Sequence, residues 1–113
     1  MATSDFAPGD VVVVPFPYSD RFAEKRRPAL VVSNDDVGAE GFVWVVMITS
    51  ATHRAALHDV KIENLSLAGL TAPSLVRPIK IACLEPARII RKAGTLDARP
   101  LAQVVDSVRR FVG

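Results

Sequence analysis

The sequence holds one cysteine, Cys83, and two histidines, His53 and His58. One thiol forms neither an internal disulfide nor a cysteine-based zinc cluster. The histidines lie five positions apart with no acidic cluster beside them. On a strand that odd spacing turns them to opposite faces, so no metal site and no cofactor is expected. The commonest route to nuclease chemistry, two metal ions held by carboxylates, is thereby removed. The glycines are scattered singly, which excludes a phosphate-cradling loop, and no nucleophile elbow is present. The longest strong apolar run, Phe42 to Ile48, is far short of the ~18 residues of a membrane span. The opening MATSDFAPGD has no basic stretch followed by an apolar one, so no signal peptide, no membrane partner and a cytoplasmic location are expected. Aromatics are scarce, with five Phe, one Tyr and one Trp. Most must serve a core, which argues against an aromatic peptide-binding groove.

What is present fits one globular domain. The chain has 113 residues, half of them apolar, enough for one packed core without disulfides. Its net charge of +2 hides an asymmetry. Residues 1–75 carry 6 basic and 9 acidic side chains, whereas residues 76–113 carry 8 basic and 3 acidic. A further basic knot stands at Lys25, Arg26 and Arg27. Clustered Lys and Arg neutralise phosphates, so nucleic acid is a candidate partner; a solvated basic face remains the plainer reading.

The pattern is mainly β. Val11–Val14 is a β-branched run that suits a strand buried on both faces, and Pro15 and Pro17 end regular pairing after it. Tyr18–Arg27 is polar and reads as a loop, after which Pro28 opens a second strand, Ala29–Ser33. Asn34–Asp36 and Gly38–Gly41 have turn chemistry. Phe42–Thr49 is the longest strand, and Asp59–Ile62 and Leu75–Ile81 alternate as half-buried strands do. Asn64–Gly69 suits one helical turn. Cys83–Ile90 reads as the last strand region, broken by Pro86. Leu101, Val104, Val105, Val108, Phe111 and Val112 then recur at helical spacing, with Asp97 as N-cap and Pro100 tolerable in the first turn. Five or six short strands plus one C-terminal helix suggest a small barrel or a strongly bent antiparallel sheet.

Three features remain: Arg27-Pro28 entering a strand, Thr49-Ser50 leaving another, and Arg77 on a third. Each also has a purely structural reading, as a flanking arginine or an ordinary strand-end threonine. GDVVVVPFP, KRRPALVVSND and VVMITS together resemble the MazF/PemK-type toxins of bacterial toxin–antitoxin pairs. PSLVRP at 73–78 and LEPARI at 84–89 continue the resemblance in order, over about residues 8–112 of the single 1–113 domain.

The resemblance implies a small SH3-like or CcdB-like barrel of antiparallel strands with a C-terminal helix, forming a two-fold homodimer, and a metal-independent endoribonuclease that cuts single-stranded mRNA at short sequences, inhibits growth and is silenced by a cognate antitoxin. It implies that Arg27 and Thr49 are catalytic and that Arg77 assists at the phosphate. In place of the Gly-Ser-Glu-Gln loop of many members, this chain has residues 18–26, so neither Asp20 nor Glu24 aligns with the loop acid. Metal-free cleavage uses the substrate's own 2′-hydroxyl, leaving a 2′,3′-cyclic phosphate and a 5′-hydroxyl. Arg27 suits stabilisation of the extra negative charge. Arginine's pKa of about 12 or more makes it a poor proton carrier near neutrality, and His53 is a second candidate for that task. Lys25, Arg26, Ser50, His53, Arg77 and Lys80 are the candidate RNA-binding residues. Tyr18, Phe22 and Trp44 are the available stacking platforms, Trp44 having a core reading as well. The alternative function is a CcdB-like gyrase poison or a non-catalytic nucleic-acid-binding barrel.

Overall fold

The computed structural model describes residues 5–16, 25–52 and 56–113. Its strands are β1 (Asp10–Phe16), β2 (Lys25–Val31), β3 (Val43–Ser50), β4 (Val60–Lys61), β5 (Ser74–Leu84) and β6 (Arg91–Thr95). Its helices are α1 (Asp35–Ala39), α2 (Leu65–Ala68) and α3 (Ala98–Val112). The strands form one antiparallel sheet in the order β4-β5-β3-β2-β1-β6, curled into a half-barrel.

The valine run explains why this sheet has apolar cover on both sides. Successive strand residues face opposite ways, and Val11, Val12 and Val14 are all fully buried. Val11 joins Leu30, Val46, Ile48 and Val76 in one cluster, against which Val104, Leu101 and Val108 of α3 pack. Val12 and Val14 join Ala29, Val31, Val45 and Met47 in a second cluster on the other face. Ile89 belongs to this second cluster.

The C-terminal helix has the expected boundaries. Asp97 stands at the N-cap, though its side chain makes no capping bond. Pro100 is the third residue of α3, inside the first turn, where an N–H would have no intrahelical partner. The helical turn expected within Asn64–Gly69 is α2, capped by the Asn64 side chain accepting from Leu67 N at 3.1 Å.

Several readings change. Pro15 does not end pairing: β1 runs on to Phe16, with Pro15 opposite Arg26 and Phe16 opposite Lys25. The turn chemistry at 34–41 builds α1, because the Asn34 side chain accepts from Asp36 N at 3.0 Å, the bond that caps a helix as readily as it closes a turn. Lys25, Arg26 and Arg27 lie in β2 rather than in the preceding loop, and Pro28 sits in mid-strand. There is no strand across Cys83–Ile90: β5 continues to Leu84, and Pro86–Arg88 form a 3-10 turn. The last strand is β6, which pairs with β1. Its sequence, RKAGT, carries no alternating apolar pattern. The exposed ladder of β1 and an ion pair from Lys92 to the buried Asp10, at 3.1 Å, hold it there. Gly94 of β6 lets α2 lie close, since a Cβ there would stand 2.3 Å from the Leu67 carbonyl oxygen.

Candidate active site

The register of β2 on β3 decides where the site lies. Ala29 pairs with Met47, Leu30 with Val46 and Val31 with Val45. Two steps further along the same register, Arg27 faces Thr49. Both continue the row of Ala29 and Met47, so both side chains fall on the face of the second core cluster.

The ladder stops before it reaches them. Val32 donates its backbone N–H to Trp44 O at 2.9 Å. Backbone groups of a strand alternate between its two neighbours, so the nitrogen of residue 28 also points at β3, toward Ile48. Residue 28 is proline and has no hydrogen to donate. Pairing of β2 with β3 therefore ends at Ala29, leaving a gap in the pairing at Arg27 and Thr49.

A cavity of about 200 Å³ fills that gap, lined by Arg27, Met47, Ile48, Thr49, Arg77 and Lys80. Met47 and Ile48 are buried and make its apolar side. The third strand, β5, contributes Arg77 opposite Met47. Beyond Arg77 the register breaks: Met47 pairs with Arg77 but Val46 with Ile81, leaving Pro78, Ile79 and Lys80 unpaired. Such a bulge bends a strand and re-aims its side chains, and Lys80 comes to line the same cavity.

The two arginines differ in their surroundings. Arg27 has a buried Nε without a hydrogen-bond partner among the described residues. A buried donor left unpaired is costly, and an oxyanion entering the cavity supplies an acceptor. Arg77 instead makes a two-pronged ion pair with Asp59, Nε donating to Oδ1 at 3.2 Å and Nη2 to Oδ2 at 2.9 Å. Only 16% of the Arg77 side chain and 5% of the Asp59 side chain are exposed. Burial works against ionisation of Asp59, but the Arg77 hydrogen bonds and charge and the Ala56 amide outweigh it and hold the carboxyl below its usual range. The same hydrogen bonds raise Arg77, against a smaller effect of burial.

Of the residues singled out from sequence, Arg27, Thr49, Arg77 and Lys80 meet in this cavity. Arg26 is exposed on β2 and lines a separate cavity with Arg27 and Arg91. Lys25 and Ser50 are exposed at strand ends and do not line the first cavity. The Ser50 hydroxyl bonds the Thr52 hydroxyl at 2.8 Å. His53, Tyr18, Asp20, Phe22 and Glu24 lie outside the described residues. Trp44 is 41% exposed rather than core: it lies on the face of Val46 and Ile48, past the end of their buried row.

Asp59 was not singled out. A single acid at the start of an alternating segment carries no motif. Val60 pairs with Val76, so only the register, continued one step, sets Asp59 against Arg77 as a cross-strand pair.

No curated protein matches the chain by sequence, but solved structures do match its fold. The MazE–MazF complex of Deinococcus radiodurans has a TM-score of 0.73 at 23% identity, over 96% of each chain. The Mycobacterium tuberculosis toxin MazF-mt6 has a TM-score of 0.71 at 19% identity, over 91% of this chain and 95% of its own. An endoribonuclease from a mycobacterial species has a TM-score of 0.73 at 17% identity, over all of this chain and 96% of its own. The sequence profile of the PemK-like, MazF-like toxins of type II toxin–antitoxin systems matches residues 7–112. With nearly its whole length matched, and the strand order and terminal helix in place, the chain belongs to that toxin family.

Proposed function

We propose that this toxin is an endoribonuclease that cuts single-stranded RNA at a phosphodiester held between Arg27 and Thr49. The observation that carries the reading is the shared cavity: a guanidinium and a hydroxyl from adjacent strands, with Arg77 and Lys80 beside them, around one opening. The neighbouring 2′-hydroxyl attacks phosphorus and the 5′-oxygen leaves, so the nucleophile arrives with the substrate and no metal ion takes part. Arg27 meets the negative charge that builds on the phosphoryl oxygens, and its orphaned Nε is a donor ready for them. Thr49 adds a neutral hydrogen bond. Proton transfer falls to a group other than arginine, whose guanidinium holds its proton too tightly to exchange it near neutrality; His53, four residues past Thr49, is the candidate. Arg77 brings a second guanidinium to the same phosphate, and Lys25, Arg26, Ser50 and Lys80 bind the RNA backbone around the cut.

Two partners follow from this reading. The toxin is neutralised by a cognate antitoxin, a short acidic chain that covers the basic cleft; a structural neighbour, a mycobacterial endoribonuclease, is itself in complex with its cognate antitoxin. The toxin also forms a homodimer through the apolar groove of Trp44, Ile81, Ala82, Cys83 and Val112, where Trp44, Ile81 and Val112 are exposed.

The test is cleavage in excess EDTA of two RNA oligonucleotides that differ only in a 2′-deoxy sugar at the cut. The all-ribose strand should yield a cyclic phosphate and a 5′-hydroxyl, and the substituted strand should stay whole. Equal cutting of both would rule out attack by the 2′-hydroxyl.

A further inference from the structure

The reaction as described uses Arg77 and gives no task to Asp59. We propose that Asp59 is a positioning residue of this site, fixing the Arg77 guanidinium in one orientation toward the scissile phosphodiester. This inference rests on the ribonuclease reading above.

The geometry supports it in three ways. First, the carboxylate grips the Nε–Nη2 edge with two bonds, at 3.2 and 2.9 Å. One bond leaves a planar guanidinium able to swing, whereas two parallel bonds fix its plane and the direction of its Nη1 edge. Second, Asp59 is itself held. Its Oδ2 accepts from Ala56 N at 2.7 Å, and its own N–H donates to Ala56 O at 3.2 Å. Its side chain is nearly sealed from solvent. Third, the anchored guanidinium lines the cavity that holds Arg27 and Thr49.

A carboxylate in contact also offsets the charge of Arg77, so the pair offers direction more than net charge. Arg27, with no carboxylate in contact among the described residues, supplies the charge. The long arginine side chain is ordered before substrate arrives, which spares that entropy at the moment of reaction.

The experiment is a double-mutant cycle on the full chain, reading kcat and KM for a short RNA in EDTA. Arg77→Ala should lower kcat on the order of 10²-fold, and Asp59→Ala about tenfold or more, with KM little changed. In the Arg77→Ala background, Asp59→Ala should change kcat no further, because a residue acting through Arg77 has nothing left to act on. Asp59→Asn, which keeps the shape and one acceptor, should fall between wild type and Asp59→Ala, and it carries the same cycle if the alanine variant does not fold.

Equal losses from the Asp59 change in both backgrounds would overturn the inference, since Asp59 would then serve only the Ala56 turn. An Arg77→Ala variant that cuts at the wild-type rate would overturn it as well. Either result leaves the ribonuclease reading intact. A wild type that cuts no RNA removes both.

Discussion

Arg27 is the residue whose removal should cost most activity and least stability. Its Nε has no partner to lose among the described residues, so Arg27→Ala should melt close to wild type while cutting falls by about 10²–10³. Arg27→Lys should not restore it, because a lysine ammonium is a point charge without the planar fork that meets two oxygens; full rescue by lysine would show that charge alone suffices. Asp59 makes a different expectation, in stability against pH. Its folded pKa lies below the unfolded value of about 3.9. A group depressed in this way stabilises the fold above the unfolded pKa and loses that contribution as pH falls through the folded one. Denaturant unfolding of wild type and Asp59→Asn should therefore differ most near neutrality, by about 1–3 kcal/mol. The gap should close in the window below about pH 4. A gap that widened on acidification would reverse the assigned sign.

At the scale of elements, the site depends on a ladder that stops. Pro28 has no hydrogen to offer Ile48, and the pairing ends beside the cavity. Pro28→Ala restores the donor, adding up to about 1 kcal/mol of hydrogen bonding while loosening the unfolded chain by a similar amount. Stability should stay within about 1 kcal/mol of wild type, yet cutting should slow several-fold as β2 closes on β3. An unchanged rate would show that the opening has another cause. Much of this layout is legible in the sequence. The valine run of β1, the apolar run of β3 and the 3.6-residue period of α3 each bury a continuous face, and such faces write themselves into the residue pattern. Arg27 and Thr49 are legible only through their neighbours, as the ends of KRRPALVVSND and VVMITS. What stays hidden is whatever tertiary pairing decides. RKAGT becomes a strand because β1 has an open edge, Trp44 lies past the end of the buried row of Val46 and Ile48, and Asp59 meets Arg77 across a ladder no local pattern announces.

The whole molecule presents a basic cleft on one part of its surface and an apolar groove at Trp44, Ile81 and Val112 on another. If that groove joins two copies, Ile81→Glu should convert a dimer into a monomer in sedimentation or light scattering, because a buried unpaired charge at an interface is strongly disfavoured. A variant that kept the wild-type mass would place the contact elsewhere. RNA affinity of the intact protein should fall steeply with salt, as phosphate contacts made by Lys and Arg release counterions. The most direct measurement is to map the new 5′ ends on a long RNA incubated in EDTA with wild type and with Arg27→Ala. Wild type should leave 5′-hydroxyl ends recurring at one short sequence, and the folded variant should leave them about 10²–10³-fold more slowly. An Arg27→Ala protein that generates the same ends at the same rate, or wild-type ends that carry 5′-phosphate, would contradict a cleavage centre built on Arg27 and Thr49.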